Sequence, residues 1–191
     1  MFKIDMEYKL RRKTSLQMLW VAIISMIMVF AGLTSAYIIS TKREDWISFN
    51  LPSAFYISSV LIIVSSISFI LAKRAIKKGE KTQTSLFLGT SLLLGIAFIV
   101  SQFYGFKELI AAGLYFTGAQ SNIATSFLYV ITVTHLVHVM AAVLVLIFIV
   151  VKQFKGGYTP ENYIGIELGS LFWHFLDALW IYLFLFFYFI R

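Results

Sequence analysis

Two groups of side chains in the carboxyl-terminal half of the chain have the types and the spacing for chemistry. His135 and His138 are three residues apart, which sets them about 60° from each other on one face of a helix. His174 follows Glu167 by seven residues, almost in line with it, and Asp177 comes three residues later. Imidazole and carboxylate groups can bind a metal ion, exchange protons or hydrogen-bond to each other.

The apolar surroundings of Asp177 limit what these groups can do. In the middle of a membrane an Asp costs about 2.5–3.5 kcal/mol on insertion scales, so it must be paired and turned away from lipid. Counting helical rise from the ends of the two segments gives a depth of about 20 Å for His138 and about 14 Å for Asp177, and the two come close to one level if the fourth helix extends about two turns past the core. We therefore expect His138, His174 and Asp177 to form a buried link between two helices, with Glu167 anchoring the cytoplasmic end. A protonatable cluster near a proton path and a metal bound by His and Asp are the alternatives.

The composition excludes several other kinds of site. The chain has no Cys, which removes disulfides, thiolate zinc sites, iron–sulfur clusters and covalently attached haem. Three His are too few for several metal centres. No segment resembles a hydrolytic triad, a phosphate-binding loop or a dinucleotide fingerprint. We therefore expect no catalytic residue and no metal site in this chain.

The elements that carry these side chains are long apolar runs. Of the 191 residues, 60% are hydrophobic and 13% are charged. Each of five runs is long enough to cross a hydrocarbon core of about 30 Å as a helix. The runs are 16–39, 51–72, 85–104, 124–151 and 168–190. We predict an all-α integral membrane bundle of five transmembrane helices, one membrane domain over 1–191, because lipid leaves no partner for a bare backbone amide. The first run exceeds the roughly 7–15 apolar residues of a signal peptide, so we interpret it as an uncleaved span.

The distribution of basic residues predicts the orientation. Twelve Lys and Arg lie on the side of the N-terminus, at positions 3, 9, 11, 12, 13, 73, 74, 77, 78, 81, 152 and 155. The other side has four, at positions 42, 43, 107 and 191. Because cytoplasmic loops are enriched in Lys and Arg, we place the N-terminus in the cytoplasm and the C-terminus outside. The net charge of +7 is then a topology signal rather than a sign of nucleic-acid binding, with anionic lipid as the alternative partner.

Small and aromatic residues predict how the helices pack. Gly32 and Ala36 are four apart, as are Gly165 and Gly169, and such spacing lets helix backbones approach closely. Trp173 and Trp180 are seven apart and form an aromatic stripe beside the polar residues of the fifth run. The second run carries serines that can bond to their own helix or to a neighbour. They are Ser58, Ser59, Ser65, Ser66 and Ser68.

The same residues carry a family resemblance. The segment ELGSLFWHFLDALWIYLF resembles the closing helix of subunit III of the haem–copper cytochrome c oxidases, with its Glu followed by Trp-His-Phe-x-Asp-x-x-Trp. THLVHVMAAVL is similar to the family's His-x-x-His-Val helix, and FAGLTSAYI to its Phe-x-Gly-x-x-x-Ala-aromatic stretch. Gln102, near the end of the third run, also fits the family pattern. Five spans match the short form of the family, which lacks the first two helices of the seven-helix form. One departure is Met26, which stands where the family usually has a buried Glu, so no role of that carboxylate is carried over.

The resemblance implies a non-catalytic subunit in a bacterial inner membrane. Such a chain packs on the catalytic subunit I beside subunit II, stabilises the catalytic subunit during turnover and supports proton uptake. Haem and copper then belong to the partner subunits. Phospholipid is the one ligand that we expect this chain to bind.

The sequence is also compatible with three other functions. Accessory subunits of quinol oxidases and of nitric oxide reductases share much of this pattern. A small independent transporter, with the polar cluster as its ion site, is the alternative from a different class of protein.

Overall fold

The computed structural model of the chain describes residues 2–44, 46, 49–118 and 121–190, with side chains from residue 6 onward. Within these ranges the chain forms five α-helices, each long and apolar enough to cross a membrane. They are α1 (Phe2–Ser40), α2 (Ser53–Lys77), α3 (Lys81–Ala111), α4 (Ile123–Phe154) and α5 (Ile164–Phe189). The predicted all-α architecture with five membrane-length helices is confirmed.

The helix ends differ from the predicted limits of the apolar runs for local reasons. α2 begins at Ser53 rather than at Leu51, because Pro52 is extended and proline disfavours helix in the residue before it. α4 begins after Asn122, whose side chain accepts a hydrogen bond from the backbone N–H of Thr125 at 2.8 Å. All five helices extend beyond their apolar runs at one end or both, since a helix need not stop where its sequence becomes polar.

Alternate helix ends meet at the same end of the bundle. The side-chain amide of Gln153, at the end of α4, donates to the carbonyl of Lys81, at the start of α3, at 3.3 Å. Gly79, in the α2–α3 turn, has a φ of +78°, a left-handed conformation that suits glycine. The start of α1, the α2–α3 turn and the α4–α5 connection thus share one end, which we call the basic end. The counted positions Lys3 and Arg191 lie outside the residues whose side chains are described.

The helices form a closed arrangement with one peripheral member. α2 packs along α3, α3 along α4, α4 along α5, and α5 along α2. α1 packs in the groove between α4 and α5 and is the least buried of the five helices. In its most apolar stretch of 18 residues, 17% of the residues are buried, against 50% in the corresponding stretch of α5. The two helices with the predicted polar cluster, α4 and α5, are therefore the two that touch most of the others.

Candidate functional site

The polar residues of α5 meet serines of α2 in a regular series. The indole N–H of Trp180 donates to Ser59 Oγ at 3.1 Å, and that of Trp173 donates to Ser65 Oγ at 3.2 Å. One residue further along each helix, His174 Nδ1 and Ser66 Oγ are 2.7 Å apart. We call these three pairs the α2–α5 polar seam. The two Trp–Ser pairs follow from the opposite directions of α2 and α5, since moving from Ser59 to Ser65 along α2 corresponds to moving back from Trp180 to Trp173 along α5. The His174–Ser66 pair lies directly beside the Trp173–Ser65 pair.

Asp177 extends this seam into the interior. Its side chain is buried, and its Oδ2 lies 3.9 Å from His174 Nδ1, one helical turn away. On its α4 side it borders Val139 and Ala142. The carboxyl group is thus turned away from lipid, as expected, and its nearest described polar group of the same helix is the imidazole of His174.

The expected hydrogen bond between His138 and Asp177 is wrong. Among the described residues none joins them; instead, His138 Nδ1 donates to the carbonyl of Thr134, at 2.7 Å. The His138 ring lies 6.0 Å from that of Phe30 of α1. The prediction matched the two residues by depth, but depth does not fix the direction around the helix axis. One residue further along α4, Val139 borders Asp177, whereas His138 is rotated by about 100° towards α1.

His135 occupies a third environment. It is 1% exposed and stacks on Trp180, with ring centroids 5.3 Å apart and an interplanar angle of 26°. The rings of Phe30 and Phe98 meet it edge-on at 6.3 and 6.1 Å. The predicted single cluster is therefore divided, with His135 among aromatic rings, His138 beside α1, and only the α5 pair in the seam.

Glu167 lies at the basic end, as expected, and its partner is Arg12 of α1. Arg12 Nε and Nη2 donate to the two carboxylate oxygens at 2.6 and 2.5 Å. The Glu167 side chain is 16% exposed and that of Arg12 is 45% exposed. This two-pronged ion pair joins the start of α1 to the start of α5. Nothing in the sequence distinguishes Arg12 from its basic neighbours, so sequence reasoning missed it.

The small residues predicted to pack between helices behave differently in α5 and in α1. Gly169 is buried, and a Cβ there would press on Ile149 of α4; one on Gly165 would press on the Tyr158 hydroxyl. Gly169 thus lies close to a side chain of α4, whereas Gly165 lies close to the α4–α5 connection rather than to another helix. Gly32 is wrong as a contact within this chain, because it is exposed and a Cβ there would meet nothing within 4 Å. Its neighbour Ala36 is half-buried. The buried face of α1 is formed instead by its larger residues, Phe30, Thr34 and Tyr37.

Both tryptophans of the predicted stripe are buried, and Trp173 also contacts α3. A Cβ on Gly95 would lie 2.6 Å from Trp173 Cη2, so this glycine makes room for the indole. Sequence reasoning missed Gly95, because a glycine within an apolar run has no partner that the sequence identifies.

The predicted serine bonds are confirmed in both forms. Ser58 and Ser59 donate back to the carbonyl of Phe55. Ser65 and Ser91 each donate to the other's carbonyl, which binds α2 to α3 at 3.2 and 3.3 Å.

Two adjoining cavities lie between α1 and the α4–α5 pair at the basic end. The polar one, of about 390 Å³, is lined by Arg11, Glu7 and Lys152 among others. The apolar one, of about 480 Å³, shares Lys152 and Tyr158 with it and continues between α1, α4 and α5. Burial of Tyr158 raises the pKa of its phenol, and the Lys152 Nζ lies 4.8 Å from the centre of its ring.

The donor set does not fit a metal centre. Among the described residues no three His, Cys, Asp or Glu side chains come together as ligands. The three imidazoles occupy separate environments, and two of them are engaged by Thr134 and Ser66.

Comparison with known proteins gives a consistent result. The family model described as "Cytochrome c oxidase subunit III" matches residues 12–191. The cytochrome c oxidase subunit 3 of Corynebacterium diphtheriae is 29% identical over 173 residues, covering 86% of this chain and 82% of the relative. The probable cytochrome c oxidase subunit 3 of Mycobacterium bovis is 30% identical over 173 residues, with 87% and 83% covered.

A third relative comes from a different oxidase. The cytochrome bo(3) ubiquinol oxidase subunit 3 of Pseudomonas aeruginosa is 35% identical over 136 residues, covering 71% of this chain and 63% of the relative. The match to the family model covers most of the chain, including all the helices that carry the seam. The chain therefore belongs to the cytochrome c oxidase subunit III family.

Proposed function

We propose that this chain is the non-catalytic subunit III of a respiratory cytochrome c oxidase in a bacterial inner membrane. The family match over residues 12–191 is the observation that carries the proposal. The residue inventory supports it, because the chain has no Cys and its three His lie in separate environments. Haem and copper then belong to the catalytic subunit I and to subunit II, on which this chain packs. Its role is to stabilise the catalytic subunit and to support proton uptake.

The orientation is part of the same proposal. The basic end faces the cytoplasm, because it gathers the N-terminus and two basic connections at one end of the bundle. The C-terminus then lies outside. A cysteine introduced at Lys78, in the α2–α3 turn, and labelled by an impermeant thiol reagent tests this. We expect labelling from the cytoplasmic side only.

Co-purification tests the main proposal. The tagged chain is purified from native membranes in mild detergent, followed by a reduced-minus-oxidised haem spectrum and an oxygen-uptake assay. We expect haem-bearing larger subunits and uptake driven by reduced cytochrome c. A colourless small oligomer would contradict the proposal and favour a transporter.

The electron donor has a second candidate. The Pseudomonas aeruginosa relative is named as a subunit of a ubiquinol oxidase, so the same assay includes a quinol. Uptake driven by quinol and not by cytochrome c would move the chain to that complex, and nitric oxide reduction would move it to the reductases.

Phospholipid is the ligand that we propose for the chain itself. The polar cavity offers Arg11 and Lys152 for a phosphate, and the adjoining apolar cavity offers Leu19, Phe148 and Phe172 for an acyl chain. The continuity of the two cavities matches a molecule with one charged and one apolar end. Lipid extraction and mass spectrometry of the purified complex test this. We expect the double variant Arg11→Gln/Lys152→Gln to lose anionic phospholipid, while Lys78→Gln retains it.

A further inference from the structure

Three buried side chains between α3 and α4 have polar atoms without hydrogen-bond partners among the described residues. They are both amide atoms of Gln102, the hydroxyl of Thr132 and both ring nitrogens of His135. Each residue is at most 1% exposed. Buried polar groups in folded proteins nearly always have a partner, so these five atoms require one.

Aromatic contacts on either side show that Gln102 faces α4 at this level. The rings of Phe98 and His135 are 6.1 Å apart, and those of Phe106 and Tyr129 are stacked at 5.4 Å. Gln102 lies one helical turn from Phe98 and one turn from Phe106, and it is buried, as is Phe98. The two contacts therefore place Gln102 between them, against α4.

Thr132 is the matching residue on α4. It lies three residues from His135 and three from Tyr129, on the buried face of the same helix. Since α3 and α4 run in opposite directions, Gln102 and Thr132 are at the same height, and His135 is one turn away. Three polar side chains from two helices thus share one small region.

Aromatic rings close this region from the α2–α5 side. Trp180 stacks on His135 and meets Phe55 and Phe98 edge-on at 5.4 and 5.2 Å. Phe55 also packs on α3, where a Cβ on Gly105 would lie 2.5 Å from its Cε1. Lipid tails cannot enter between these rings, and they could not hydrogen-bond if they did.

We propose that Gln102, Thr132 and His135 bind ordered internal water between α3 and α4. The amide has two donor hydrogens and an acceptor, the neutral imidazole has one of each, and the hydroxyl has one donor and acceptor lone pairs. A water molecule donates two hydrogen bonds, accepts two, and typically makes about three with buried polar groups. One water can therefore bond to one polar atom of each side chain and link α3 to α4 as the serines link α2 to α3, and the remaining polar atoms of the five require further water. This site is independent of the proposed function.

A high-resolution cryo-electron microscopy map of the purified complex tests the proposal directly. We expect density for water within about 3.5 Å of the Gln102 amide and of Thr132 or His135. Direct hydrogen bonds among the three side chains, with no solvent density between them, would overturn it. The map can be collected on any complex in which the chain is found, so failure of the oxidase assignment would leave this test intact.

Melting temperatures provide a second test. Thr132→Val keeps the shape but removes the hydroxyl, and we expect a fall of about 2–6 °C. Adding Gln102→Leu is expected to cost less than the sum of the two single changes, because both act on the same water. The control is Thr90→Val, since Thr90 is exposed and donates only to its own helix, at the Leu86 carbonyl. Additive losses, or a loss at Thr132 no larger than at Thr90, would contradict shared water.

Discussion

Trp180 of α5 donates its indole N–H to the hydroxyl of Ser59 of α2 at 3.1 Å, deep in the apolar interior. The indole is 1% exposed, and the same ring stacks on His135 of α4. One side chain therefore connects three helices. Since Trp173 repeats the hydrogen bond with Ser65 two turns away, the register of α5 against α2 is fixed at two levels.

The first prediction concerns this hydrogen bond. Ser59→Ala leaves the Trp180 N–H buried without its acceptor, so we expect a loss of about 1–3 kcal/mol of stability. The melting temperature of the purified protein measures it. Ser40→Ala is the matched control, because Ser40 donates to the carbonyl of Ala36 of its own helix. Equal melting temperatures for the two variants would contradict a stabilising Trp180–Ser59 hydrogen bond.

The second prediction compares two glycines within helices. Gly95→Ala would force a methyl group against the Trp173 indole, and we expect overpacking to cost about 1–3 kcal/mol. Gly32→Ala meets nothing within 4 Å, and we expect no loss or a gain of up to about 1 kcal/mol from helix propensity. The melting temperature should therefore fall for Gly95→Ala and stay the same or rise for Gly32→Ala. A larger loss at Gly32 would show that its face packs against another protein.

The third prediction concerns α1. Arg12→Gln removes the ion pair with Glu167, which links this peripheral helix to α5. Because the Arg12 side chain is 45% exposed, water and salt screen the pair, and we expect a small loss of melting temperature that shrinks at high salt. The Lys9→Gln variant, one turn earlier on the same helix, is the control. Reversal of the pair, as Arg12→Glu with Glu167→Arg, should recover part of the loss, and no recovery would count against a direct interaction.

The fourth prediction separates structure from proton chemistry at Asp177. Asp177→Ala removes the buried carboxyl beside His174, and we expect less assembled complex but unchanged turnover per haem. Asp177→Asn keeps the shape and should assemble better than the Ala variant. Haem content and oxygen uptake of the purified complexes measure both quantities. Normal assembly with lost proton pumping would instead assign Asp177 to a proton path.

The sequence predicts the helices well because their cause is local. Long apolar runs must be helical in lipid, and each run predicts its own span whatever its neighbours do. Serine bonds across helices and close approach at Gly169 could be predicted for a similar reason. In an apolar run, a hydroxyl group must find a hydrogen-bond acceptor in its own helix or in a neighbouring one, and a small residue leaves space for a neighbouring helix to pack closely.

The arrangement of the polar residues could not be predicted to the same extent. Depth along a helix follows from counting residues, but the pairing of His138 with Asp177 depended on the rotation of α4 about its axis. That rotation is set by packing against α1, α3 and α5 together. Likewise Gly32 resembles a packing glycine by spacing, yet it is Phe30, in contact with His135 and His138, that faces the bundle.

The most direct test of the central claim is to follow the oxidase during turnover with and without this chain. The complex is purified from a strain that lacks the chain and from one in which it is restored, and oxygen uptake per haem is recorded over time. We expect the complex without the chain to keep its haem spectrum and to begin turnover, but to inactivate faster and to take up protons more slowly. Complete loss of activity from the first turnover, with the haems intact, would contradict a non-catalytic role. Identical time courses would contradict a stabilising one.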